Sequence, residues 1–262
     1  MDLPGLAKKL GVKPEIVIEA IRLSPNARGY IEGAISELVV KQELEKSGYE
    51  LKRIKEKWEG EKLHFGDFYI TKKGSERWYV FESKGLKSNS EKWHKLTKKE
   101  TLTRFLKKYN EEMNLFETEE ALTSWVERNH ADNLDVLKKN IRVLETHLVS
   151  GVSGRKGKKK RTIHTPRKDE FDYVSFDLFL RTENREFIFA DPDDLGTSKK
   201  HKTHLRQNYI IDILLKDVRS EPKIRLPWHK TLDEIWDDTK DPVVTSQMQE
   251  DTRASEPEAL IQ

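Results

Sequence analysis

Along this chain, apolar positions recur either at helical spacing or in short bulky runs, and Gly and Pro punctuate the changes. Residues 4–23 read as two short helices, LPGLAKKLG and KPEIVIEAIRL, divided at Gly11 with Pro14 opening the second. The breaker SPNARG (24–29) precedes a helix from Tyr30 to Lys46. Its stripe is Ile31, Ala34, Ile35 and Leu38, and Gly48 ends it. YELKRIKEKWE (49–59) reads as a strand. Residues 64–85 read as a hairpin turning at Gly74-Ser75, a pair suited to a type II′ turn. Thr97-Lys98-Lys99-Glu100 is a capping box opening a helix that buries Leu102, Phe105 and Leu106. Further helices are expected over 118–129 and 133–149, the second with Leu137, Ile141, Leu144 and Leu148 on one stripe. A second hairpin over 171–190 turns at Glu183-Asn184 and pairs Asp177 with Ala190, and 203–218 reads as a last helix. After about residue 240 the chain is polar, acidic and aperiodic, which predicts disorder.

These elements predict an α/β fold, a mixed central β-sheet flanked by helices with additional helical and hairpin elements. Residues 1–29 form an N-terminal helical segment, in which LAKKLGVKPEIVIEAI resembles a helix-turn-helix. Residues 30–112 form the core carrying the chemistry. Residues 113–232 form a helical and hairpin region with a basic loop, either continuing that core or standing beside it, and 233–262 are the acidic tail. With no cysteine there are neither disulfides nor thiolate metal sites. No apolar run reaches the length of a membrane span, and the N-terminus lacks a signal-peptide core, so a cytoplasmic protein without membrane contact is expected. Neither a Gly-rich phosphate loop nor a Gly-x-Ser-x-Gly elbow is present.

The net charge of +3 conceals an asymmetry. From Asp233 onward nine acids face two bases, so the remainder carries a clear positive excess. A basic body suits a polyanionic partner, nucleic acid first, although a solvated lysine-rich surface gives the same balance. The densest cationic stretch is GRKGKKKRTIHTPRK, with Arg155, Lys156, Lys158, Lys159, Lys160, Arg161, Arg167 and Lys168 and no acid. A phosphate backbone would relieve the mutual repulsion of these cations.

The first hairpin carries the candidate chemistry. A turn centred between Gly74 and Ser75 pairs Lys72 with Arg77, Tyr69 with Val80 and Asp67 with Glu82. Directly opposed Cβ atoms lie roughly 5 Å apart, and alternation puts Lys84 on the face of Glu82 while Ser83 points away. Two carboxylates that close repel unless a cation stands between them. A salt bridge is one answer. A hard divalent ion such as Mg²⁺, with Mn²⁺ as a substitute, is the other, held by Asp67, Glu82 and the main-chain carbonyl of Ser83. Lys84 beside such an ion can hold and help deprotonate a water while the ion neutralises charge on a phosphate, which equips the group to hydrolyse a phosphodiester. Glu37 lies at the edge of its helix's stripe, either at the helix–sheet boundary or facing solvent.

Glu37 on a helix, Gly66-Asp67 on one strand and Glu82-Ser83-Lys84 on the next resemble the PD-(D/E)xK nuclease superfamily, over about residues 30–90. That superfamily includes restriction endonucleases, Holliday-junction resolvases and repair exonucleases. EGAISELVVKQELEKSGYELKR resembles its opening helix and first strand, and Gly66 stands where the motif has proline. The resemblance implies Mg²⁺ on Asp67 and Glu82, Lys84 positioning or activating the attacking water, and Glu37 assisting. The long stretch of chain beyond the hairpin exceeds what a minimal resolvase needs, so within that superfamily the expectation is a type II restriction enzyme that cuts double-stranded DNA as a homodimer, with a cognate DNA methyltransferase as a companion. A structure-specific or repair nuclease and a non-catalytic DNA-binding protein are the alternatives.

Overall fold

The computed structural model describes residues 3–55, 64–87, 95–148, 151–154, 161–199, 201–244 and 247–251, with backbone alone for 151–154 and 161–164. The chain gathers into two compact units. One comprises Met1–Lys84, Lys168–Ser175 and Asp237–Gln262, and the other Gly85–Arg167 and Phe176–Trp236.

The first unit opens with helices α1 (Leu3–Lys9), α2 (Pro14–Leu23) and α3 (Pro25–Lys46). SPNARG proves to be a helix start, not a breaker: Ser24 Oγ accepts the Ala27 N–H at 3.2 Å, and Pro25 takes the first helical position. Strands β1 (Tyr49–Arg53), β2 (Phe68–Lys72) and β3 (Tyr79–Gly85) follow and pair antiparallel in sequence order. Phe68, Tyr69, Ile70, Tyr79, Val80 and Phe81 are all buried, so both faces of this sheet are covered. Helix α3 packs against β1 through Ser36, Val40 and Leu44. The stripe expected to do so, Ile31, Ile35 and Leu38, is exposed. Helix α2 buries none of its residues.

The register expected for the first hairpin is observed, with Phe68 opposite Phe81, Tyr69 opposite Val80 and Ile70 opposite Tyr79. The turn differs. Ser75 N–H donates to the Lys72 carbonyl at 3.0 Å, and Gly74 takes φ 91° at the third position, the place where a type II turn requires glycine. The second unit contains α4 (Lys99–Met113), α5 (Glu119–Asn129), α6 (Leu134–Asn140), β4 (Ile141–Glu145), β5 (Gly151–Gly154) and β6 (Arg161–His164). Next along the chain come β7 (Tyr173–Asp177), α7 (Phe179–Thr182), β8 (Phe187–Ala190) and β9 (Ile210–Leu215). The fold is α/β, and its main sheet is mixed and five-stranded in the order β1-β2-β3-β7-β8.

Sequence expectations fail here in three places. The helix over 133–149 ends at Asn140, and the helix over 203–218 is strand β9, which pairs antiparallel with β4 from Ile141–Leu215 to Leu144–Asp212. Both strands are buried along most of their length, and such runs do not reveal their period from spacing alone. Ile141, Val143, Ile213 and Leu215 close over Leu102, Leu106, Trp125 and Leu137. Second, α7 occupies the connection of the 171–190 hairpin, and Asp177 pairs there with Arg185 and accepts the Phe179 N–H at 2.9 Å. Third, the capping box is not made, since α4 begins after Lys98 without a side-chain cap.

The acidic tail is not free of the fold either. Lys55 N–H donates to the Gln249 carbonyl and Asp251 N–H to the Arg53 carbonyl, each at 2.9 Å, and Ile54 bridges Glu250. Strand β1 is an edge strand, so these bonds cover main-chain groups that would otherwise face outward.

Gly66 sets the approach to β2. A Cβ there would collide with Val80 Cγ1 and stand 3.2 Å from the Phe81 carbonyl. Gly33, mid-helix in α3, meets nothing within 4 Å. Gly66→Ala should therefore cost about 1–3 kcal/mol in urea unfolding, while Gly33→Ala should gain up to about 1 kcal/mol. Equal effects would remove the close-approach explanation.

Candidate active site

β3 leaves the core after Phe81, and its next residues alternate between faces. Ser83 is buried, whereas Glu82 and Lys84 share the opposite face. The Ser83 hydroxyl has no hydrogen-bond partner among the described residues. Asp67 sits one residue before β2 and spans this strand end. Its N–H donates to the Phe81 carbonyl at 2.9 Å, and its Oδ2 accepts the Ser83 N–H at 2.8 Å. The carboxylate therefore stands across from Glu82, held there by the residues on either side of it.

Lys84 is the cation between them. Its Nζ pairs with Glu82 Oε1 and lies 3.7 Å from Asp67 Oδ2. Burial disfavours its charge, but the Asp67 and Glu82 carboxylates, and then Glu37, outweigh that cost. Its pKa is raised above that of an ordinary lysine, although its side chain remains 26% exposed. The repulsion expected between the two acids is thus answered within the chain by an ammonium.

Glu37, on α3, is near enough for its charge to act on Lys84, and its placement has a reason other than the expected one. It neighbours the buried positions Ser36 and Val40, not the edge of a buried Ile31–Leu38 stripe. Arg53 at the end of β1 holds it, Nη2 to Oε2 at 3.1 Å, and Arg53 Nε also lies 4.0 Å from Asp251 Oδ2. Neither Arg53 nor Asp251 was predicted for the site. The link from Lys55 to Phe68 is too long for any turn rule to place Arg53 opposite Phe68, as it is in the sheet. A terminal aperiodic segment offers no pattern that would place Asp251.

Elsewhere, Arg155, Lys156, Lys158, Lys159 and Lys160 lie outside the described residues. β5 and β6 pair antiparallel, with Gly154 opposite Arg161, a pairing not expected from the sequence. Arg167 makes a backbone bridge to His204, and Lys168 opens a short 3-10 turn. No family model, curated protein or solved structure matches this chain.

The donors at the β3 end are hard oxygens, the type a Mg²⁺ ion takes. Among the described residues no three acidic or histidine side chains are grouped closely enough to ligate a metal, and Lys84 stands between the two nearest acids. The residue types fit the ion, and the arrangement as it stands is an ion pair with a third acid beyond it.

The sign of the lysine shift fixes its pH behaviour. A raised folded-state pKa gives stability that is fully present below the unfolded value, roughly 10.4, and lost only as pH rises through the higher folded one. Lys84→Met leaves two partly buried acids without their cation. It should cost about 3 kcal/mol, a gap that stays flat from pH 6 to 9 and narrows above that. Urea unfolding at pH 7, 9 and 11 measures it, and a gap that closes by pH 8 contradicts the assignment.

Proposed function

We propose that this protein is a Mg²⁺-dependent DNA endonuclease with a PD-(D/E)xK-type core, most nearly a type II restriction enzyme. The observation that carries the reading is the meeting of Asp67, Glu82 and Lys84 at one strand end, with Glu37 close enough for its charge to act on Lys84. Helix α3, the entry to β2 and strand β3 deliver these groups.

Mg²⁺ on Asp67, Glu82 and the Ser83 carbonyl would neutralise charge building on the scissile phosphate. Lys84 would position or activate the attacking water and stabilise anionic oxygen through Nζ–H. The basic stretch 155–168 supplies cations for the DNA backbone.

A specific observation also supports the rival reading, a DNA-binding protein in which Lys84 makes an ion cluster. Its ammonium already satisfies both neighbouring acids. Plasmid DNA incubated with Mg²⁺ and the wild type, Glu82→Gln or Lys84→Ala proteins separates the two. Cleavage by the wild type alone, with both variants reduced at least about a hundredfold, is expected. Cleavage that survives both substitutions sinks the site, and salt-sensitive binding without cleavage favours the rival. Discrete fragments indicate restriction, and selective cutting of branched junctions indicates a repair nuclease.

Duplex cleavage by such an enzyme calls for two copies, and α3 offers a surface for them. Ile31, Ile35 and Leu38 recur at i, i+4 and i+7, and Leu38 is 54% and nearby Tyr30 81% exposed. A self-complementary stripe of this kind suits a twofold pair. The wild type should sediment at twice 30.8 kDa, and Leu38→Glu should sediment as a monomer with unchanged helicity. A monomeric wild type at tens of micromolar, on the order of a weak dimer's Kd, removes the dimer.

A further inference from the structure

We infer that Asp251, in the acidic C-terminal segment, is a positioning residue of this site, acting on Glu37 through Arg53; the inference rests on the nuclease reading of Glu37, Asp67, Glu82 and Lys84. The juxtaposition is specific. Asp251 is fixed by its own N–H on the Arg53 carbonyl at 2.9 Å, next to the Lys55–Gln249 bond of the same length. Gln249 N–H in turn donates to the Tyr69 hydroxyl at 2.9 Å, and that hydroxyl lies 2.9 Å from His64 Nδ1. Three backbone donors, Lys55, Gln249 and Asp251, thus set where the segment stops along β1. Its carboxylate ends only 7% exposed, within 4.0 Å of the guanidinium that holds Glu37.

Two acids on one guanidinium do different work. Arg53 lies between the two, with Nη2 3.1 Å from Glu37 Oε2 and Nε 4.0 Å from Asp251 Oδ2. Asp251 attracts the guanidinium from the other side and shares its charge, which biases where Arg53, and with it Glu37, is placed. Glu250, the neighbouring acid, does none of this. It pairs with the more exposed Lys52 at 3.0 Å and serves as the internal control.

The test uses the full chain as wild type, Asp251→Asn, Asp251→Glu and Glu250→Gln. Binding of Mn²⁺, followed by its electron paramagnetic resonance signal, is read beside steady-state DNA cleavage. Asp251→Asn should weaken Mn²⁺ binding about fivefold and lower kcat about tenfold, with KM for DNA and the melting temperature little changed. Asp251→Glu should restore most of both, and Glu250→Gln should stay within about twofold. An Asp251→Asn protein with wild-type Mn²⁺ affinity overturns the inference. So does one whose losses merely track a fall in melting temperature shared by Glu250→Gln. A wild type that binds Mn²⁺ but cuts nothing overturns the nuclease reading instead, and the Mn²⁺ affinities then decide Asp251 alone. A wild type that binds no Mn²⁺ overturns both.

Discussion

A partly buried ammonium must be met by anions, and much of the first unit is arranged to meet the one on Lys84. Removing such a charge from water costs several kcal/mol unless it is paired. Two carboxylates pair with it directly, and a third contributes through its field. Each comes from a different place: Glu82 from the same strand, Asp67 from the entry to β2, Glu37 from α3. The geometry of the entry depends on Gly66, because only a residue without Cβ lets that chain press against Val80 and bring the Asp67 N–H to Phe81. A proline at that position, as in the motif's name, would meet the same obstruction.

Charge then alternates outward from this point. Lys84 faces Asp67 and Glu82, Glu37 faces Arg53, and Arg53 faces Asp251. Among these six groups four acids stand against two bases, leaving a charge of −2. The acidic tail belongs to this alternation and is not simply a solubilising appendage. Its backbone completes the edge of β1, while its side chains answer Lys52 and Arg53.

What could be read in advance follows the range of the interactions involved. The hairpin of β2 and β3 was legible because a short connection transmits register, so Tyr69 fell opposite Val80 even though the turn formed around Lys73-Gly74 instead of Gly74-Ser75. The helix expected over 118–129 is α5, whose start Thr118 caps by accepting the Ala121 N–H at 3.1 Å. β4 and β9 were not legible, because strands buried on both faces present apolar runs that spacing assigns equally well to a helix. Ile31, Ile35 and Leu38 misled for the opposite reason. Their period was real, but among the described residues nothing covers that stripe, and α3 lies on β1 through Val40 and Leu44. Arg53 and Asp251 depend on contacts between residues nearly two hundred positions apart, which no local pattern encodes.

The excess of acid also bears on whether the end of β3 is a salt bridge or a site. An ion pair kept for stability alone does best when its charges balance, and even then well-packed apolar side chains often serve as well or better. Here one ammonium is given two direct acids and the field of a third, and the guanidinium that could neutralise the third is shared with a fourth. This arrangement suits the Mg²⁺ site proposed above, in which an added cation would share Asp67 and Glu82 with Lys84.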